Sequence, residues 1–140
     1  IAQFMGYGSY SAAVAEVSVS PQGKLKIHRM VLALNCGHAV NPDQIAEQIE
    51  GSVGFGLTAA LYGEMSVKDG RMVQTNFDTY QIMRMAEMPK VETVIMQTYD
   101  FWGGVGEPTI CVVIPSVLNA IMAATGKPVR SLPLKNVKLV

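Results

Sequence analysis

The sequence is poor in charge. Only 16% of its 140 residues are Asp, Glu, Lys or Arg, and 11 acidic side chains balance 11 basic ones. Soluble domains usually carry roughly 25%. A sparse, balanced charge set removes the electrostatic case for nucleic acid or an anionic membrane as partner. Cysteine is scarce as well. Cys36 and Cys111 stand far apart with no CxxC spacing, which leaves a zinc or redox motif unsupported. Both lie in apolar sequence and are expected to be buried free thiols. Long hydrophobic runs are missing too. The longest, Ile110 to Ala124, is interrupted by Pro115, Ser116 and Asn119 and falls short of the roughly 20 apolar residues that span a bilayer. No transmembrane segment is therefore expected. The chain opens Ile1-Ala2-Gln3-Phe4, without a basic stretch or a signal-peptide pattern.

What is present in quantity is apolar: 49% hydrophobic residues and a mean hydropathy of +0.25. A small domain has proportionally more surface to solvate than a large one. We expect a single domain, residues 1–140, with part of its surface covered inside a larger assembly. The bland alternative is a compact domain bearing an apolar patch.

Periodicity supplies the elements. Ala13, Ala15, Val17 and Val19 alternate with Val14, Glu16, Ser18 and Ser20, and beyond Pro21-Gln22-Gly23 the apolar Leu25 and Ile27 alternate with Lys24, Lys26 and His28. This reads as a hairpin with one buried face. Alternation then disappears through Met30 to Leu34, as in a strand covered on both faces. Asn41-Pro42-Asp43-Gln44 offers a cap, a first-turn proline and a capping-box residue. Ile45, Ile49, Val53, Leu57 and Leu61 follow at i+4 spacing, an apolar helix stripe. Beside it run Gln44, Gln48, Ser52 and Gly56. Gly51, Gly54 and Gly56 interrupt this helix at about 1 kcal/mol each, and close approach of a backbone or a ligand is the usual reason.

Asp69-Gly70 predicts a tight hairpin between Met65–Val67 and Met72–Gln74. Thr75 to Pro89 shows no clean period. Val91 to Gln97 reads as a strand, Pro115 to Thr125 as a second helix with Pro first and Gly126 past its end, and Val129 to Leu134 as a closing strand. The order predicts an α+β fold, an antiparallel or mixed sheet packed against two main helices.

Glu107 is the residue that invites chemistry. Gly103, Gly104 and Gly106 precede it and Pro108 follows, so its backbone is closely specified. A carboxylate held beside apolar sequence loses hydration, and a semi-desolvated acid on a fixed loop is a usable general base. The alternative is a turn whose acid merely accepts backbone amides. Gln48, on the glycine-interrupted helix face, could pair with a cofactor ring through its amide; otherwise it is an exposed helix glutamine. His28, His38, Tyr7, Tyr10 and the nine methionines read as surface, core or interface residues.

Four segments in order carry a resemblance: "NPDQIAEQIEGSVGFGLTAALYGE", "NFDTYQIMRMAEMP", "GGVGEP" and "PSVLNAIMAATGKPVRSLPL". Together they resemble the C-terminal part of the cofactor-binding large subunit of the molybdenum hydroxylases, the xanthine dehydrogenase and aldehyde oxidase family. The nearest branch is the isoquinoline 1-oxidoreductase β-subunit and bacterial membrane-associated aldehyde dehydrogenase type. The likeness runs from "GYGSYSAAVAEVSV" to "SLPL". It implies an oxidoreductase that hydroxylates an aldehyde or an N-heteroaromatic carbon with oxygen from water. Glu107 matches the glutamate of the family's GVGEP loop and would be general base beside molybdenum. Gln48 matches the glutamine of its QxEG segment and would bind molybdopterin, expected in its cytosine dinucleotide form. No protein side chain is expected as metal ligand.

The implied partners are the remainder of the large subunit, an iron–sulfur subunit, a cytochrome as a further electron acceptor, and a small-molecule substrate. The compartment stays open: periplasmic or membrane-associated if that branch holds, cytoplasmic otherwise. The chain departs from the family in "TICVVIP" after GVGEP, where relatives continue with more prolines and small residues. The family's large subunits are several-fold longer, so the 140 residues are expected to be a fragment that does not hold the cofactor alone. The competing reading is an inactive structural or assembly module.

Overall fold

Alternating sequence at the start of the chain builds a sheet whose inner face is apolar. The computed structural model describes residues 1–140, with strands β1 (Ala2–Gly6), β2 (Ser9–Val19) and β3 (Leu25–Asn35) paired antiparallel in sequence. Tyr7 and Gly8 both take positive φ at the β1–β2 turn, the geometry that matches the strand twist in a two-residue hairpin. Helix α1 (Pro42–Tyr62) follows, then a short hairpin of β4 (Val67–Lys68) and β5 (Arg71–Met72), and then β6 (Lys90–Ile95). Strand β6 returns parallel to β3, giving the order β1-β2-β3-β6. Parallel pairing needs a long crossover, and α1 occupies it. Helix α2 (Ile110–Thr125) closes the layer.

Both helices contribute to one core. Met30, Leu32 and Leu34 from β3 meet Ile49, Val53 and Leu57 from α1 and Val112, Val113, Val117 and Ile121 from α2, all fully buried. The mixed sheet packed on two helices is the α+β architecture expected. The opposite sheet face leaves Met5, Tyr10, Val14 and Val94 exposed.

Four local expectations are corrected. The apolar run Met30 to Leu34 is buried on one face only, with Val31 and Ala33 half-buried on the other, and it follows a bulge where Glu16 faces Arg29 and Val17 faces Ile27, the consecutive exposed residues His28 and Arg29 resetting the parity. Met30, Leu32 and Leu34 then point inward. Helix α2 begins at Ile110 and runs through Pro115. An interior proline costs about 3 kcal/mol, but the extra turn fully buries Val112 and Val113, worth roughly 1.5–3 kcal/mol each. Val129 to Leu134 forms no strand and instead leads into a 3-10 turn at Leu134–Asn136, because Pro128 and Pro133 lack the N–H a sheet ladder needs. Finally, Cys36 is buried as expected but Cys111 is only partly so.

Candidate functional site

The asparagine and proline that start α1 set the first wall of the site. Asn41 Oδ1 accepts from the Gln44 amide at 3.3 Å, and Pro42 stands first in the helix. With Ile45 and Ile49 buried, the helical period turns Gln44 and Gln48 outward beside each other. Of the polar stripe read from sequence, these two face a hollow of about 690 Å³. Ser52 turns inward and donates to the Ile49 carbonyl, and Gly56 lies against Val113, whose Cγ1 is 2.7 Å from where a β-carbon would stand.

The second wall is the loop from Thr98 to Thr109. It is tied along its length to the tips of the sheet. The Gly103 amide donates to the Cys36 carbonyl at 2.9 Å and the Gly104 amide to the Tyr7 carbonyl at 2.7 Å. Thr98 and Tyr99 amides both reach the Gly37 carbonyl. Gly37 has φ +78°, and a β-carbon there would collide with the Asp100 and Phe101 carbonyls. Gly103 is required just as strictly, since a side chain would strike Ser9 and the Gly8 carbonyl. These glycines let the loop press onto the sheet.

Gly106 then brings the loop to α1. Gln48 Oε1 lies 3.9 Å from the place a Gly106 β-carbon would take, and both residues line the hollow with Gln44, Asn41, His38 and Trp102. Glu107, next in the chain, is exposed and is not among the residues that line the hollow. Its carbonyl accepts a long contact from the Cys111 thiol at 3.7 Å, and the chain's three ion pairs all lie elsewhere. The expected desolvation of Glu107 is thus not supplied by these 140 residues, and neither is the alternative in which its carboxylate is occupied by backbone amides. Thr109, where the loop enters α2, buries a hydroxyl that finds no partner.

His38, read from the sequence as a surface, core or interface residue, and Trp102, not singled out there, both border the hollow. His38 packs near Tyr99, ring centroids 6.0 Å apart, and Trp102 stacks on Phe101 at 6.2 Å. The available signal was that the chain's one tryptophan directly precedes the glycine-rich loop. His28, by contrast, stays on the solvent face, paired with Ser18 at 2.7 Å. Tyr7 and Tyr10 are exposed, not packed in the core.

The donor set suits a flat polar ligand. The carboxamides of Asn41, Gln44 and Gln48 line the hollow from one side, and Gly103 and Gly106 on the other leave room where side chains would fill it. No three His, Cys, Asp or Glu side chains converge as a metal site, so a metal here would come with its own ligands.

Comparison with known proteins bears on which ligand that is. The family described as molybdopterin cofactor-binding domain matches residues 2–89, a span that includes Gln48 and stops short of Glu107. The isoquinoline 1-oxidoreductase subunit beta of Brevundimonas diminuta is 30% identical over 136 residues, covering 94% of this chain and 17% of that protein. The aldehyde oxidoreductase molybdenum-binding subunit of Escherichia coli K12 is 30% identical over 141 residues, covering 94% of this chain and 19% of that one. The crystal structure of the aldehyde oxidoreductase from Desulfovibrio desulfuricans superposes with a TM-score of 0.76 at 26% identity, over 91% of this chain and 15% of that one. The chain thus spans less than a fifth of the length of these relatives.

Proposed function

The chain belongs to the molybdopterin cofactor-binding domain family of the molybdenum hydroxylases, and from that premise we propose that it forms part of a catalytic site for hydroxylating an aldehyde or an N-heteroaromatic carbon with oxygen from water. The names of its relatives, an isoquinoline oxidoreductase subunit and an aldehyde oxidoreductase subunit, support that substrate range. The observation that carries the reading is the meeting of Gln48 with the loop of Glu107 at one hollow, where Gln48 Oε1 stands 3.9 Å from the β position of Gly106.

In this reading Gln48 holds the cofactor through its carboxamide, which can donate and accept toward the same planar group. The cofactor is molybdopterin in its cytosine dinucleotide form, and it supplies the two-electron chemistry that no side chain can. As the oxygen bonds to the substrate carbon and that carbon's C–H bond breaks, the hydrogen with its electron pair would pass to the cofactor and the oxygen's proton to Glu107, the work of a general base. The loop fixes the backbone that carries the carboxylate, and the rest of the subunit would exclude water from it. Electrons leave through an iron–sulfur subunit and then a cytochrome; relatives described as subunits support a multi-subunit enzyme.

Glu107→Gln in the intact enzyme tests the assignment. The substitution keeps shape and hydrogen bonding but removes the base. Molybdenum content is expected to stay at the parent level while turnover falls by about 100-fold or more, within the range that proton transfer by a positioned group contributes. Turnover within a few-fold of the parent would remove Glu107 as base and leave the assembly-module reading in its place.

A further inference from the structure

We infer that Ser11, seconded by Ser9, is the positioning residue for Glu107; the inference rests on the proposed role of Glu107 as base. Strand β2 turns Ser9, Ser11 and Ala13 onto its inner face, where they are 0%, 4% and 1% exposed. Two hydroxyls therefore occupy positions at which the core takes apolar side chains, and a buried hydroxyl is tolerated only when it is bonded. Both are bonded to the same loop. Ser9 Oγ donates to the Gly104 carbonyl at 2.7 Å, and Ser11 Oγ donates to the Pro108 carbonyl at 2.8 Å, across 95 and 97 positions of sequence.

These two bonds bracket Glu107. Pro108 follows it directly, has no amide to anchor it, and buries its ring completely. The Ser11 hydroxyl is thus the polar tether on the C-terminal flank of Glu107, as the Ser9 hydroxyl on the Gly104 carbonyl is on the other. The carboxylate itself takes no bond from the chain that would hold it, so its location is set through this backbone. Misplacing a reacting group by about 1 Å can cost about 100-fold in rate.

The test is a double-mutant cycle in the intact enzyme, with rates expressed per bound molybdenum. Ser11→Ala is expected to lower kcat by about 10- to 100-fold with KM and molybdenum content unchanged. In a Glu107→Gln background the same substitution is expected to change kcat by less than about twofold, because its effect passes through the carboxylate. Equal losses in both backgrounds would show general damage to the fold and overturn the inference. A Ser11→Ala enzyme with parental kcat, when Glu107→Gln is inactive, would overturn it and leave the base assignment standing. Full turnover in Glu107→Gln would instead remove the base assignment, and the inference with it. Should Ser11→Ala bind no molybdenum, the same cycle with Ser9→Ala decides by the same criteria.

Discussion

Arg29 and Glu92 show how single residues hold the sheet at its parallel seam. Arg29 Nη2 lies 2.6 Å from Glu92 Oε2, and Lys90 Nζ lies 2.8 Å from Glu92 Oε1. The Arg29 hydrogen bond, with Lys90 behind it, pulls the Glu92 carboxyl down from its ordinary 4.5 to about 2. A depressed carboxyl stabilises the fold above its unfolded pKa, and that contribution is lost as pH falls through the folded one. The parent is therefore expected to lose melting temperature between about pH 4.5 and 2, and Glu92→Gln to show a flatter profile in that window. Melting temperature followed against pH checks this, with the exposed pair giving a modest effect that shrinks in salt. At the same scale glycine and proline draw the eye to Glu107 and to the helix face of Gln48, the two residues whose roles are proposed above. The sequence hid Ser9 and Ser11, since serine in a strand suggests the solvent face. Their parity with Ala13 and Ala15 was the one sign that they point inward.

Among the elements, α1 separates two uses of glycine that look alike in sequence. Gly56 faces Val113 on α2 with no room for a β-carbon, whereas Gly51 and Gly54 have nothing within 4 Å. Gly56→Ala is expected to destabilise the chain by about 1–3 kcal/mol through overpacking. Gly51→Ala and Gly54→Ala are expected to stabilise it by about 1 kcal/mol each through helix propensity. Chemical denaturation of the three variants distinguishes the two cases. Close approach within the chain thus accounts for one helix glycine of three. The helix itself was legible from cap to stripe because local signals and burial agree there. The start of α2 was not, because Pro115 argued locally for a helix beginning and only tertiary burial of Val112 and Val113 argued against it. The bulge in β3 escaped for a related reason: a one-residue insertion in a strand erases a period-two pattern without any distinctive residue.

For the molecule as a whole, the scarcity of charge corresponds to particular uncovered surfaces. A groove of about 1120 Å³ runs along α1, lined by Gly51, Gly54, Phe55, Phe77, Met83 and Met85. Phe55, Phe77 and Met85 are 76%, 72% and 89% exposed, and Glu47 borders both this groove and the hollow at Gln48. The methionines read as core or interface residues divide accordingly: Met30 is fully buried, and Met85 stands in the open. In the proposed reading the chain supplies only part of the site, and Gln48 and Glu107 are exposed, so the 140 residues purified alone are expected to hold molybdenum well below one equivalent. Elemental analysis of the isolated chain beside the intact enzyme makes that comparison, and stoichiometric metal in the former would mean that this part suffices.

Mooring a late loop to an early strand also orders events at the ribosome. Ser11 leaves the exit tunnel 97 residues ahead of the carbonyl it will grip. Domains begin to take shape from their leading end during synthesis. Through that interval the two serine hydroxyls stay without their partners, and the hollow between α1 and the glycine-rich loop forms only once that loop has followed.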